Sequence, residues 1–334
     1  MGNESLKLDA VFEGGGVKGI GLVGAVAVTG EKGYEFKNVA GTSAGAIVAS
    51  LIAAGYGAQK LKEVIEELDY SKFKDKGFID SLPGIGFALS LGFEKGIYEG
   101  RYFENWLREL LSGAPNGSIK TFRDLRTEYD DPKYRYKLQV IAADVSRGKM
   151  LVLPHDIRDY GVDPDELDVA LAVRMSMSIP FFYEPVILKD NEGNKSYIVD
   201  GGILSNYPVW IFDDGSPTPP WPTLGYKLVE PGAGKPNSVN GPITLFAALF
   251  STMMEAHDAR YIANKDFVRT IPIPTLGVRT TEFDLSRERS NELYESGRAA
   301  AEQFFQLWDF EEYKANYRQT EPPARRQTII SDLK

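Results

Sequence analysis

The chain is 334 residues long, 43% hydrophobic and 25% charged, an ordinary globular composition that excludes a disordered or fibrous protein. Lys+Arg 38 against Asp+Glu 47 leaves a net charge of −9, and no basic run stands out, which argues against nucleic acid and against a purely electrostatic hold on anionic membranes. Cysteine is absent and only two histidines occur, His155 and His257, so thiol chemistry is excluded and acid–base chemistry has few of its usual carriers.

No stretch approaches eighteen consecutive apolar residues, so no membrane-spanning helix is expected. Met1 to Leu8 lacks the charged-then-apolar layout of a signal peptide, and Leu6 stands where a myristoylation site needs Ser or Thr. The expected compartment is the cytosol.

Leu6 to Phe12 reads as a buried strand running into Glu13 and three glycines. Val17 to Gly33 is apolar on nearly every side and carries Gly19, Gly21, Gly24 and Ala25, the mark of a deeply buried helix that needs small residues for close approach. Phe36 to Ala40 is a second strand, broken by Gly41-Thr42-Ser43-Ala44-Gly45, and Ala46 to Ala54 a second buried helix. Strand, helix, strand, helix within the first 57 residues predicts α/β organisation with parallel strands.

Further on, Leu61 to Leu68 and Tyr98 to Leu111 read as helices, and Lys137 to Val145 and Met150 to Leu153 as two strands across a Ser146-Arg147-Gly148 turn. Leu167 to Met177 is helical, Phe181 to Leu188 extended, and Ser196 to Val199 a strand entering Asp200-Gly201-Gly202. After a proline-rich loop at Gly215 to Pro222 containing Trp221, the pattern gives strand Leu224 to Val229 and a helix around Leu245 to Ala263. Strand Phe267 to Ile273 and a last helix near Ser290 to Trp308 complete it.

Two motifs invite chemistry. Gly14-x-Gly16-x-x-Gly19 matches the dinucleotide fingerprint and sits between strand and helix, but Val39, Ala40 and Gly41 stand where its acidic ribose ligand belongs. A Walker loop fails too, since Ile20 follows Gly19 where Lys should be. Gly41-x-Ser43-x-Gly45, again between strand and helix, has the form of a nucleophile elbow. Its strained turn would lift Ser43 out of the sheet, with the helix N-terminus aimed at charge developing on acylation. The backbone N–H groups of Gly14, Gly15 and Gly16 would then form an oxyanion hole. For the base, His155 lies in a loop and His257 in a helix, whereas Asp200 ends an apolar strand and is followed by glycines that allow close approach. Packing or surface roles are the expectation for both histidines.

Together these residues resemble one family, the patatin-like phospholipases. The resemblance rests on Gly14-Gly15-Gly16-Val17-Lys18-Gly19, on Gly41-Thr42-Ser43-Ala44-Gly45, on Val173 to Pro180, and on Asp200-Gly201-Gly202 with Asn206 and Pro208 following, all in family order. It matches less closely at Arg174 and Met175. It implies a three-layer α/β/α fold with a central, largely parallel sheet, a catalytic core over 8–210, and strands and helices over 211–334 completing the same domain, with a loose tail from about 319. It also implies a serine acyl hydrolase of fatty-acyl esters of lipids that needs no metal or cofactor, with Ser43 as nucleophile and Asp200 as base. Gly14 to Gly16 would be the oxyanion hole, and Lys18, Gly41, Gly45 and Gly201 would be supporting residues. A dinucleotide-binding oxidoreductase using the Gly14–Gly19 loop and a non-catalytic lipid-binding relative are the alternatives. Phe78 to Ile97, apolar but punctuated by Pro83 and several glycines, reads either as a lid touching a membrane surface or as two short core helices.

Overall fold

Strand β1 (Leu6–Phe12) is followed by helix α1 (Gly19–Glu31), strand β2 (Tyr34–Thr42), and helices α2 (Ala44–Ala53) and α3 (Ala58–Glu66) in a computed structural model that describes residues 6–67, 96–98, 100–230, 264–280, 282 and 285–318, with scattered positions between 239 and 253. Next come β3 (Gly96–Tyr98), α4 (Arg101–Ser112), the hairpin β4 (Leu138–Asp144) and β5 (Lys149–Leu153), and α5 (Val169–Ser176). Strands β6 (Phe181–Tyr183), β7 (Val186–Lys189), β8 (Lys195–Asp200) and β9 (Thr223–Val229) lead to a one-turn helix α6 (Asn264–Val268), β10 (Thr270–Pro274), α7 (Arg287–Leu307) and α8 (Phe310–Tyr313).

The protein has an α/β fold around one central sheet, in the order β10-β9-β1-β2-β4-β8-β7, with β5 on the other side of β4. Strands β10, β9, β1, β2 and β4 are parallel; β8 pairs antiparallel with β4, and β7 antiparallel with β8. Period-two alternation sorts the strand residues between two faces. Leu8, Ala10, Phe12 and Val39 join a large core with α1, α2, α5 and α7, whereas Val11, Ala40 and Ile141 meet Ile211 and Phe212 of the segment after β8. On that second face, among the described residues, this segment supplies the covering layer.

The small residues of α1 have a visible cause. A Cβ on Gly24 would lie 2.0 Å from the Tyr294 carbonyl oxygen, and one on Gly297 1.9 Å from that of Gly21, so α1 and α7 touch backbone to backbone. The sequence pattern extends a strand back to Phe267, but Phe267 and Val268 close helix α6 instead. Asp266 of that turn binds the guanidinium of fully buried Arg269, and Asp213 binds the same guanidinium through two bonds of 2.7 Å. Pairing that buried cation requires the carboxylate three residues before it, a tertiary demand that apolar alternation does not reveal. The Leu245–Ala263 helix lies mostly outside the described residues, and His257 and the tail from 319 wholly so. Of Phe78–Ile97, only Gly96 and Ile97 are described, in β3.

At the β10 edge of the sheet, the Arg269 carbonyl accepts from the Gly225 N–H and the Thr275 N–H donates to Val229, both at 2.9 Å, so odd-numbered positions of β10 face β9. Even-numbered positions therefore face outward, and two of the three are Pro272 and Pro274, which have no N–H to offer there.

Asp9, in the middle of β1, is buried against Asn38, whose side-chain Nδ2 and backbone N–H donate to its Oδ1 at 2.7 and 3.1 Å. Burial pushes its carboxyl up to about 7, against the opposing pull of these bonds and of the Trp221 indole. The folded pKa exceeds the unfolded one, so the associated stability is complete below about pH 4 and is lost as pH rises through 7. Denaturant midpoints should fall between pH 5 and pH 8 in the native chain, and Asp9→Asn, which cannot ionise, should fall less steeply whatever its absolute offset. An equal slope would rule this out.

Candidate active site

Ser43 is the residue between β2 and α2, with φ 53° and ψ −124°, a left-handed conformation that is costly for any residue with a Cβ. Close backbone packing holds it there. A Cβ on Gly41 would lie 2.3 Å from the carbonyl carbon and oxygen of Gly45, and one on Gly45 2.3 Å from the Phe12 carbonyl oxygen. Glycine at both flanks is what lets the end of β1, the end of β2 and the first turn of α2 converge. Ser43 is nearly enclosed, and its N–H donates to the Ser176 hydroxyl at 2.9 Å.

Asp200 reaches the same place by strand pairing. Strand β2 occupies one edge of β4 as far as Thr42, opposite Ile141. Strand β8, arriving antiparallel, takes over that edge with Asp200 opposite Ala142, while β5 runs along the other edge. Two strands thus end head to head on neighbouring residues of β4, and residues 157 positions apart in sequence become neighbours. Gly201 fits this junction because a Cβ on it would lie 2.4 Å from the Ile141 carbonyl oxygen.

The Asp200 carboxyl is completely buried. Oδ1 accepts from the Gly202 N–H at 2.8 Å, whereas Oδ2 is buried with no hydrogen-bond partner. Burial pushes the pKa up to about 7, with the Gly202 amide and the nearby Ser43 hydroxyl drawing it down. A carboxylate with one idle oxygen beside a serine, titrating near neutrality, is equipped to take a proton.

The glycine loop lies against both. Gly14 packs so closely that a Cβ on it would be 3.1 Å from the Ser43 Cβ and 2.3 Å from Asn206 Oδ1. Its N–H, however, already donates to the Asn206 carbonyl at 3.2 Å. In the same loop, the N–H groups of Gly15 and Gly16 have no backbone acceptor among the described residues. Gly16 has φ +56°, and a Cβ there would lie 2.1 Å from the Thr280 carbonyl oxygen, so no other residue fits. Lys18 is buried and pairs with Glu230 at 3.0 Å, just past the end of β9.

Three residues are braced here, of which Glu13 and Ser176 are singled out by no motif and Asn206 only by the family resemblance. Glu13 is buried and accepts from the Leu228 N–H at 2.5 Å and from the Lys227 ammonium, while Asn206 Nδ2 donates to the Gly14 carbonyl at 3.1 Å. Ser176 holds the Ser43 amide. Asn206 and Ser176 stand inside the segments that carry the family resemblance, which was the available clue. His155 packs edge-on against Tyr136 with ring centroids 5.4 Å apart, and burial lowers its pKa.

A strained strand–helix turn at Ser43, a buried carboxylate and a glycine loop thus gather where β2 and β8 end against β4, in a protein of the α/β class. The chain belongs to the patatin-like phospholipase family, whose profile matches residues 10–213. It is 40% identical over 304 residues to the uncharacterized protein YqhO of Bacillus subtilis, covering 91% of this chain and 99% of that one. The uncharacterized protein R571 of Acanthamoeba polyphaga mimivirus is 22% identical over 88% of this chain and 92% of its own. Among solved structures, VipD from Legionella pneumophila shares the fold, with a TM-score of 0.53 at 20% identity over 91% of this chain and 67% of that one. Family membership supports a lipid-hydrolase activity. Among the described residues, no helix is long and apolar enough to cross a membrane.

Proposed function

We propose that the chain is a serine acyl hydrolase that cleaves fatty-acyl esters of phospholipids or related lipids through a Ser43–Asp200 dyad. One observation carries the reading: the strained Ser43 and the idle, buried Oδ2 of Asp200 meet at one edge of β4. Ser43 Oγ attacks the ester carbonyl as its proton passes to Asp200 Oδ2. The N–H groups of Gly15 and Gly16, with those of the first turn of α2, stabilise the oxyanion. Collapse expels the alcohol, which takes the proton from Asp200 and leaves an acyl-Ser43 intermediate. Asp200 then deprotonates water, which attacks the acyl carbonyl and releases the fatty acid. The substrate meets the protein at the cytosolic face of a membrane, with Phe78–Ile97 as the contacting segment.

A fluorophosphonate probe is expected to label Ser43, and Ser43→Ala to remove both labelling and hydrolysis across a panel of lipid esters. His155→Ala should keep at least half the native rate, because the dyad uses no imidazole. Vesicle binding with every ester left intact would instead assign a non-catalytic lipid-binding role, and saturable NAD(P) binding would assign the dinucleotide reading.

A further inference from the structure

We propose that the turn Ser176-Met177-Ser178 sets the distance between Ser43 and Asp200, with Ser176 as the positioning residue of the nucleophile. The inference rests on the dyad reading above and adds a specific residue to it. Strand pairing alone fixes only where Thr42 and Asp200 stop along β4. It does not fix where the chain goes after Thr42, and the left-handed φ of Ser43 gives that residue a standing tendency to relax.

Three hydrogen bonds remove that freedom. The Ser43 N–H donates to Ser176 Oγ at 2.9 Å, and the Ser176 hydroxyl spends its single proton on the Ile141 carbonyl at 2.5 Å. Two residues later, the Ser178 carbonyl accepts the Asp200 N–H at 2.9 Å. One short turn at the end of α5 therefore grips the main chain of both reacting residues, and it anchors on the β4 residue that lies opposite Thr42. The turn is itself stiff. Met177 N–H bonds back to Val173 and Arg174, and the Ser178 hydroxyl donates to Arg174 at 2.8 Å. Ser176 is completely buried and Ser178 almost so, out of contact with bulk solvent.

The two serines make different contributions, and this gives the proposal its test. Ser176 acts through its side chain. Ser178 acts through its carbonyl, which any residue supplies. Ser176→Ala leaves the Ser43 N–H and the Ile141 carbonyl unpaired, whereas Ser178→Ala leaves the grip on Asp200 in place.

The experiment measures kcat and KM on a soluble acyl ester, the rate of fluorophosphonate labelling at Ser43, the pH profile of kcat/KM, and the thermal midpoint. Ser176→Ala is expected to lower kcat and the labelling rate about 10²-fold, the loss that goes with misplacing a reacting atom by about 1 Å, with KM within threefold. The acid limb of its pH profile should move to higher pH, because a displaced Ser43 no longer stabilises the ionised Asp200. Ser176→Cys, close in size but a weak donor and acceptor, should fold normally and lose activity in the same direction. Ser178→Ala, which keeps the carbonyl that holds Asp200 and loses only a stiffening bond to Arg174, should lose at most about tenfold. If Ser176→Ala does not fold, Ser176→Cys decides. Native kcat and pH profile in folded Ser176→Cys, or an equal kcat loss in Ser178→Ala, overturns the proposal. Hydrolysis persisting in Ser43→Ala would instead overturn the dyad reading itself.

Discussion

Asp200→Asn is expected to lower ester hydrolysis by about 10³-fold and, in the same preparation, to make the protein more stable at pH 8. The two effects have one origin. Burial pushes the native carboxyl up to about 7 in the fold against 3.8 for an ordinary aspartate, because it strips the charged form of bulk solvent. Stability from proton uptake is complete below about pH 4 and gone above about pH 7, so at pH 8 the ionised, buried side chain weakens the fold by roughly 2–4 kcal/mol relative to a neutral one. The substituted amide keeps an oxygen for the Gly202 N–H and places its NH₂ toward Ser43, where Oδ2 had no partner. The gain should therefore grow between pH 5 and pH 8. Differential scanning calorimetry at both values checks the stability limb, and a native-like midpoint at pH 8 would refute it. The native enzyme should correspondingly lose kcat/KM as pH falls through 7, since the base must be ionised to work.

Gly41→Ala is expected to be the most damaging single methyl in the elbow. Its Cβ would stand 2.3 Å from the main chain of Gly45 and 2.6 Å from the Ala46 nitrogen, and a helix backbone cannot step aside as a side chain can. The start of α2 must move, at a cost of about 3 kcal/mol, and Ser43 moves with it. Activity should fall about 10²-fold even in the fraction that remains folded. The contrast is Gly30→Ala, at the exposed end of α1 with nothing within 4 Å of the new methyl, which should stabilise by about 0.5–1 kcal/mol. Unfolding midpoints of the two variants, measured side by side, separate close approach from a general effect of adding a methyl. Equal midpoints would remove the close-approach argument.

The first half of the fold was legible because its signals are local. Alternation across β1 and β2, the small residues of α1 and the glycines around Ser43 all report on neighbours a few positions away. Asp200 was legible as the end of an apolar strand. Its meeting with Ser43 was implied only by the family resemblance and not by the residue pattern, because it depends on β8 entering antiparallel and taking over an edge of β4 that β2 vacates, a fact of pairing between distant segments. The same holds for Ser176, whose hydroxyl reaches a residue 133 positions earlier, and for Glu13, whose Lys227 and Leu228 partners lie more than 200 positions later. The glycine run announces a loop beside the serine, and the loop is there. Its motif does not disclose that the Gly14 N–H is taken by Asn206, a partner far along the chain. The turn of helix at Asn264–Val268 is hidden for a related reason, since the need to pair buried Arg269 outweighs apolar alternation there.

The two prolines on the outer edge of β10 bear on how this protein behaves in company. Another edge strand, β7, is only four residues long and ends in a lysine. A strand from another molecule that tried to extend the sheet at β10 would find carbonyl oxygens but no amide protons at Pro272 and Pro274, and the Pro274 oxygen is already taken by Ser296 at 2.7 Å. Edge-to-edge stacking, the common route from a crowded refolding mixture to fibrous aggregate, is closed at this side of the molecule. Replacing both prolines with valine would restore the missing amide protons there while leaving Ser43 and Asp200 unchanged.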